Sequence, residues 1–247
     1  MTDILLINPN TTKSITNLVL KTARTFASPG TRLRAATGAF GPRYIASRVG
    51  YAIAGHAAVD AFARDRGAKD AVVLACFGDP GLAALKEISG VPVVGMADAS
   101  ILQACALGNR FSIVTGGERW KSMLEEFVAG HGLASRLASV RTVAPTGADI
   151  ARNPKAALAL LAEGCTACVR EAGADVVILG GAGLAGLAAR LKALVDAPLL
   201  DGVACAIATA ESLARQNLAK AKSGSLALPA PVDSIGLSPA LKKLLAS

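Results

Sequence analysis

Aromatic side chains are scarce in this chain, 4% of 247 residues with a single tryptophan. That scarcity removes the stacking platforms on which single-stranded nucleic acids are held. Basic charge is present, since 26 Lys and Arg outnumber 18 Asp and Glu for a formal net charge of +8. The basic residues are scattered, however, and no cluster is interleaved with aromatics, so no nucleic-acid partner is expected. Such a surface suits a small anionic metabolite instead. Histidine is limited to His56 and His131, each among small residues and without a Ser/His/Asp arrangement. The cysteines, Cys76, Cys105, Cys165, Cys168 and Cys205, are odd in number, which argues against a disulfide framework. The start, MTDILLINPN, has no basic segment, and Asp3 and Asn8 interrupt its apolar run. No export signal is expected, which predicts a cytoplasmic protein with reduced thiols. Uncharged apolar runs fall short of the ~20 residues that span a bilayer, so no membrane partner is expected either.

What is abundant is small and apolar: 52% hydrophobic residues and 25 glycines. This mixture suits buried parallel strands covered by closely packed helices. Eight short apolar runs mark strands: Ile4–Ile7, Leu33–Thr37, Ala71–Ala75, Val91–Val94, Phe111–Val114, Val140–Val143, Val176–Leu179 and Pro198–Leu200. Helical spacing marks Ile15–Phe26, Ala52–Arg66, Ala99–Leu107, Trp120–Ala129, Ala156–Glu171 and Val203–Gln216 between most of them. The alternation implies parallel sheets with helices on both faces.

An internal repeat refines this reading. Residues 70–95, DAVVLACFGDPGLAALKEISGVPVVG, align with residues 175–202, DVVILGGAGLAGLAARLKALVDAPLLDG. Asp70 falls on Asp175, and Cys76 falls on Gly181. The duplication favours two open four-stranded sheets over a closed eight-stranded barrel. The expected fold is α/β, with two pseudo-symmetric flavodoxin-like lobes and an active site in the cleft between them. Residues 1–96 plus 208–247 form the expected first lobe, and residues 97–207 the second. The Ala-rich apolar surfaces predict a homo-oligomer.

Ligands of open parallel sheets gather beyond the carboxyl ends of the strands. Cys76 follows an apolar run directly and lies at such an end. Asp79-Pro80 reads as a helix start, with Asp79 capping and Pro80 in the first turn. Nearby helix amides would favour a thiolate, able to take a proton alpha to a carbonyl or to attack as a nucleophile. The competing reading is a cysteine that merely fills the core. Asn8-Pro9-Asn10-Thr11-Thr12 places amides and hydroxyls at a second strand end, where carbonyls or carboxylates bind. Gly180-Gly181-Ala182-Gly183 lacks a dinucleotide fingerprint or P-loop lysine, so its amides are expected to approach a substrate closely. Cys165 and Cys168 form a CxxC within a helix, without the further ligands that zinc requires, and read as packing residues. No metal is expected. Cys105 and Cys205 also read as core.

The chain resembles the Asp/Glu/hydantoin racemase superfamily, and within it the hydantoin and allantoin racemase branch. The matching stretches are INPNTT (7–12), GP (41–42), ACFGDPGL (75–82), PVVGMADAS (92–100), RFSIVTG (110–116), ADVVILGGAGLAGLAARL (174–191) and LLDGVACA (199–206). The resemblance implies two flavodoxin-like lobes, no cofactor and one cysteine per lobe. One thiolate takes the alpha proton of a small-molecule substrate, and the opposite thiol returns a proton to the other face. Cys76 matches the first family cysteine, and Gly181 stands where the second is expected. Asn10, Phe77, Gly78, Thr115, Gly116, Gly181 and Ala182 fall at the substrate-contacting positions. Two departures lie at the same cleft. Family members commonly have a Thr-Thr pair at Thr115-Gly116, and a GPxSIE motif where this chain has Gly41-Pro42-Arg43-Tyr44-Ile45-Ala46. The superfamily also holds single-cysteine arylmalonate decarboxylases, in which glycine replaces the first cysteine; this chain is the mirror case. The expected activity is cofactor-independent racemisation or isomerisation of a hydantoin, ureide or amino acid, with Cys76 as acid/base. The alternatives are a stereospecific decarboxylase and a homologue that binds without turnover.

Overall fold

The computed structural model describes residues 1–143, 153–231 and 233–246. All eight expected strands form: β1 (Thr2–Asn8), β2 (Thr31–Thr37), β3 (Ala71–Leu74), β4 (Val93–Gly95), β5 (Phe111–Gly116), β6 (Leu137–Val143), β7 (Val176–Gly180) and β8 (Leu199–Asp201). The helices are α1 (Lys13–Phe26), α2 (Arg48–Arg64), α3 (Leu82–Ile88), α4 (Met96–Leu107), α5 (Trp120–Gly130), α6 (Pro154–Arg170), α7 (Ala188–Leu191), α8 (Gly202–Gln216) and α9 (Pro239–Leu245). None is long and apolar enough to cross a membrane among the described residues.

The strands make two four-stranded parallel sheets, ordered β2-β1-β3-β4 and β6-β5-β7-β8. The two orders are the same once numbered within each half, so the repeat read in the sequence is a repeat of topology. Helices cover both faces of each sheet. Central strands therefore carry apolar residues at every position rather than at alternate ones, and Ile4, Leu5, Leu6 and Ile7 are all buried. The order of strands reverses between β1 and β3 in the first sheet and between β5 and β7 in the second. A switch point of this kind opens a crevice at the carboxyl ends of the two strands.

Helix α4 leads from the first sheet to the second, and α8 returns to pack on α4, α1 and the strands of the first sheet. Both are rich in alanine, which lets their backbones lie close. The largest core runs through them without a break. It includes Leu6 and Val73 from one sheet, Ile113 and Ile178 from the other, and Ala97, Ala104, Ala206 and Ala210 between. Helix α9 packs on α2.

Caps account for the helix starts that hydrophobic spacing placed late. Ser47 accepts the amide of Gly50 at 3.1 Å, which begins α2 before Ala52. The two copies of the repeat diverge after their first strands. A seven-residue α3 follows β3, whereas a three-residue turn (Ala182–Leu184) and the short α7 follow β7. Cys165 and Cys168 are fully buried in the apolar core of α6 and the second sheet. Cys205 is buried in the largest core, and Cys105, partly covered, packs against that core. It lies near the C-terminus of α4, where its carbonyl accepts from Arg136 at 3.0 Å.

Candidate active site

Cys76 stands two residues past the end of β3, is 8% exposed, and opens a tight turn. Its carbonyl accepts the amide of Asp79 at 3.0 Å. Three of the next five residues have positive φ: Gly78 at 104°, Asp79 at 54° and Gly81 at 86°. The turn is held from two sides. Tyr51 of α2 donates its hydroxyl to the carbonyl of Gly78 at 2.8 Å. Trp120 of α5 lies so close that a Cβ on Gly78 would sit 2.5 Å from its ring, and its Nε1 donates to the carbonyl of Ile45 at 2.8 Å. Neither aromatic was singled out from the sequence; a lone tryptophan at a helix start was the available signal.

The structure corrects the reading of Asp79. Helix α3 starts later, at Leu82, with Gly81 in its capping position and no side-chain cap. The side chain of Asp79 turns to α4 instead, where Oδ1 accepts the amide of Ala97 at 3.1 Å and Oδ2 that of Asp98 at 2.7 Å. The expected thiolate is corrected with it. The positive-φ run separates Cys76 from the first turn of α3. Burial, and then the charge of Asp79, push the Cys76 thiol well above its usual range. This environment favours the thiol over the thiolate.

Phe77 points its ring into the core. A Cβ on Gly180 would lie 2.7 Å from that ring, so the glycine at the end of β7 is where the first half enters the second. Only the Phe77 backbone is left for a ligand. The amides of Phe77, Gly78, Gly181 and Ala182 donate to no acceptor among the described residues. Gly181 has φ 133° and ψ 133°, a backbone region that side chains rarely enter. A Cβ there would meet only Thr115 Oγ1 at 3.7 Å and Leu184 Cγ at 3.9 Å. Thr115, 4% exposed, pairs in register with Gly180, so the ends of β5 and β7 lie side by side.

At the end of β1, buried Asn8 organises the loop. Its Nδ2 donates to Asn10 Oδ1 at 2.9 Å and to Thr16 Oγ1 at 3.0 Å, and its Oδ1 accepts the amide of Asn10 at 3.2 Å. Asn10 Oδ1 also accepts the amide of Thr12 at 2.8 Å, while its Nδ2 has no partner among the described residues. Tyr44 reaches from the loop after β2 to the end of β5, donating to the carbonyl of Gly116 at 3.2 Å. Burial raises its phenol above the usual range. Tyr44 thus ties the loop after β2 to the strand end that carries Thr115, a link that sequence separation concealed.

A profile described as Asp/Glu/Hydantoin racemase matches residues 4–210. The chain belongs to this family. Among its relatives in the Asp/Glu/hydantoin racemase family is a hydantoin racemase of Pseudomonas sp. (strain NS671), 34% identical over 211 residues, 85% of each chain. Among solved structures, the allantoin racemase from Pseudomonas fluorescens superposes with a TM-score of 0.91 at 34% identity, over 95% of this chain and 100% of that one. Arylmalonate decarboxylase shares the racemase-family fold with a TM-score of 0.65 at 18% identity, over 87% of this chain and 94% of its own.

Proposed function

We propose that this chain is a cofactor-independent racemase or isomerase that moves a proton at a carbon alpha to a carbonyl. Its substrate is a hydantoin, a ureide or an amino acid, held between a lobe of residues 1–96 plus 208–247 and a lobe of residues 97–207. The observation that carries the reading is Cys76 at the switch point of the first sheet, beside backbone amides that have no acceptor among the described residues. Homology to a hydantoin racemase and an allantoin racemase supports this substrate class.

In this reading the Cys76 thiol first gives its proton to water, and the thiolate so formed takes the proton from the alpha carbon and returns one to the same face. The amides of Phe77, Gly78, Gly181 and Ala182 take the charge that develops on the carbonyl oxygen as the carbon–hydrogen bond breaks. Thr115 and the backbone of Gly116 line the same strand end, and Asn10 Nδ2 offers a further donor. Gly181 takes the place of a second cysteine and has no proton to give, so the opposite face relies on water. A missing acid/base group costs about 10²–10⁴ in rate, which makes exchange on the Cys76 face faster than full racemisation.

Proton NMR in deuterium oxide, with single enantiomers of hydantoins, allantoin, aspartate and glutamate, tests this. Alpha-proton exchange is expected, with Cys76→Ala losing at least about 10²-fold. Exchange that survives in Cys76→Ala would overturn the role of Cys76, and no exchange with any substrate would overturn the reaction.

One observation favours a second reading, a decarboxylase that protonates a carbanion from one side. Cys76 is 8% exposed, and that burial favours the thiol, a proton donor, over the thiolate. Release of carbon dioxide from an aryl-substituted malonate, giving one enantiomer of product, would select this reading.

A further inference from the structure

Two buried aspartates fasten the two strand-end turns by opposite routes. Asp79 lies within the first turn and reaches forward to the amides of α4. Asp201 lies in β8, caps α8 by accepting from Val203 and Ala204 at 2.9 and 3.3 Å, and reaches back to the second turn by accepting from Gly186 at 2.6 Å. In both halves one carboxylate joins the turn to the helix that follows the neighbouring strand.

The first arrangement is the less expected one. The residue that should cap α4 is Gly95, which has no side chain. A Cβ there would lie 2.1 Å from Asp79 Oδ2. The carboxylate of Asp79 thus fills the space of the ordinary cap. To do so Asp79 adopts a left-handed backbone (φ 54°) and is 2% exposed. Capping alone would be met at lower cost by Ser or Asp at position 95.

We infer that Asp79 is a positioning residue for Cys76: it takes over the capping of α4, fixes the turn from Cys76 to Gly81, and sets a negative charge beside the thiol. The inference rests on reading Cys76 as the acid/base. Besides Asp79, the titratable groups that face Cys76 are the phenols of Tyr44 and Tyr51, both raised chiefly by burial. Around Asp79 stand Cys76 in its own turn, Tyr51 on α2, Lys86 on α3 and Asp98 on α4. Asp98 is itself paired with Lys86 at 2.9 Å and with His131 at 3.2 Å. Burial pushes Asp79 up to about 7 against the pull of its two amides. The charge beside Cys76 therefore appears as pH rises through neutrality, and from there on it holds the thiol protonated.

The test is the pH profile of alkylation at Cys76 by iodoacetamide, read on the Cys76 peptide by mass spectrometry. Asp79→Asn keeps the shape and one capping oxygen but removes the charge. Its profile is expected to move to lower pH. Alkylation at pH 8 then becomes faster, on the order of tenfold for every pH unit by which the profile moves. Asp201→Asn loses an equivalent charge away from Cys76 and is expected to leave the profile in place. An unmoved profile in Asp79→Asn, or an equal displacement in Asp201→Asn, overturns the inference. Should Asp79→Asn not fold, coupling is read in the unmutated chain, because it is reciprocal. The Asp79 carboxyl, followed by carbon-13 NMR, is expected to titrate higher after alkylation with iodoacetate than with neutral iodoacetamide; equal titrations overturn the inference. Alkylation needs no substrate, so a displaced profile in a protein that fails the exchange assay would sink the proposed reaction and leave the role of Asp79 standing.

Discussion

At Gly181 space and backbone disagree. The room beside Thr115 and Leu184 would accept a small side chain, but φ 133° would not. Gly181→Ala is therefore expected to lose about 1–3 kcal/mol of unfolding free energy, from strain rather than from a clash. Urea denaturation checks this, and an unchanged midpoint would mean that the turn relaxes freely. Gly181→Cys bears the same strain, so any gain in racemisation would come with a fall in stability. Gly180 is the opposite case: its backbone is ordinary strand, and the ring of Phe77 sets the limit. Sequence alone reads both as members of one glycine-rich turn. Their separate reasons are visible only where the two halves meet.

Among the elements, α4 and α8 bind the structure together, and each depends on one carboxylate at its start. Asp201→Ala removes two capping bonds to α8 and the tie to Gly186. A loss of about 1–3 kcal/mol is expected, with Asp201→Asn recovering part of it; differential scanning calorimetry of both variants would show the ranking. The apolar runs made every strand legible, because a strand buried on both faces has a local signature. Helix starts were less legible. Asp79-Pro80 carries the local pattern of a cap, yet the carboxylate caps α4, a helix that begins at Met96. A capping pattern shows that an oxygen is available, and tertiary packing decides which amides it meets.

For the whole molecule, one core spans both sheets through α4 and α8. A single cooperative unfolding transition is therefore expected, despite the two-fold repeat. Fluorescence of Trp120, which sits at the site, and far-ultraviolet circular dichroism should give one midpoint; separate midpoints would show two folding units. Stability should also carry a pH signature. The folded state raises Asp79 from its ordinary 3.8 to about 7, so folding favours the protonated form. This contribution is fully present below the unfolded value and is lost as pH rises toward the folded one. Asp65, held low by Arg34, acts with the opposite sign and matters only in acid. Asp79→Asn is thus expected to gain stability relative to the parent between pH 4 and pH 8, as measured by urea midpoints at both ends. A constant difference would argue against a buried, titrating Asp79.

The order of strands and helices, the duplication and the place of Cys76 at a strand end all follow from local sequence. Each is written in neighbouring residues, through apolar runs, turn glycines and a repeated segment. Which groups face that cysteine is settled by packing across the molecule. Tyr44 meets Gly116, Trp120 meets Ile45, Phe77 fills the space over Gly180, and Asp79 replaces a cap that Gly95 lacks. These partners are far apart in the chain, and their meeting depends on how the two sheets close on α4 and α8. The burial of Cys76, which favours its thiol, belongs to the same class, because it is a property of the packed molecule, whereas the charge of Asp79 three residues on is written in the sequence.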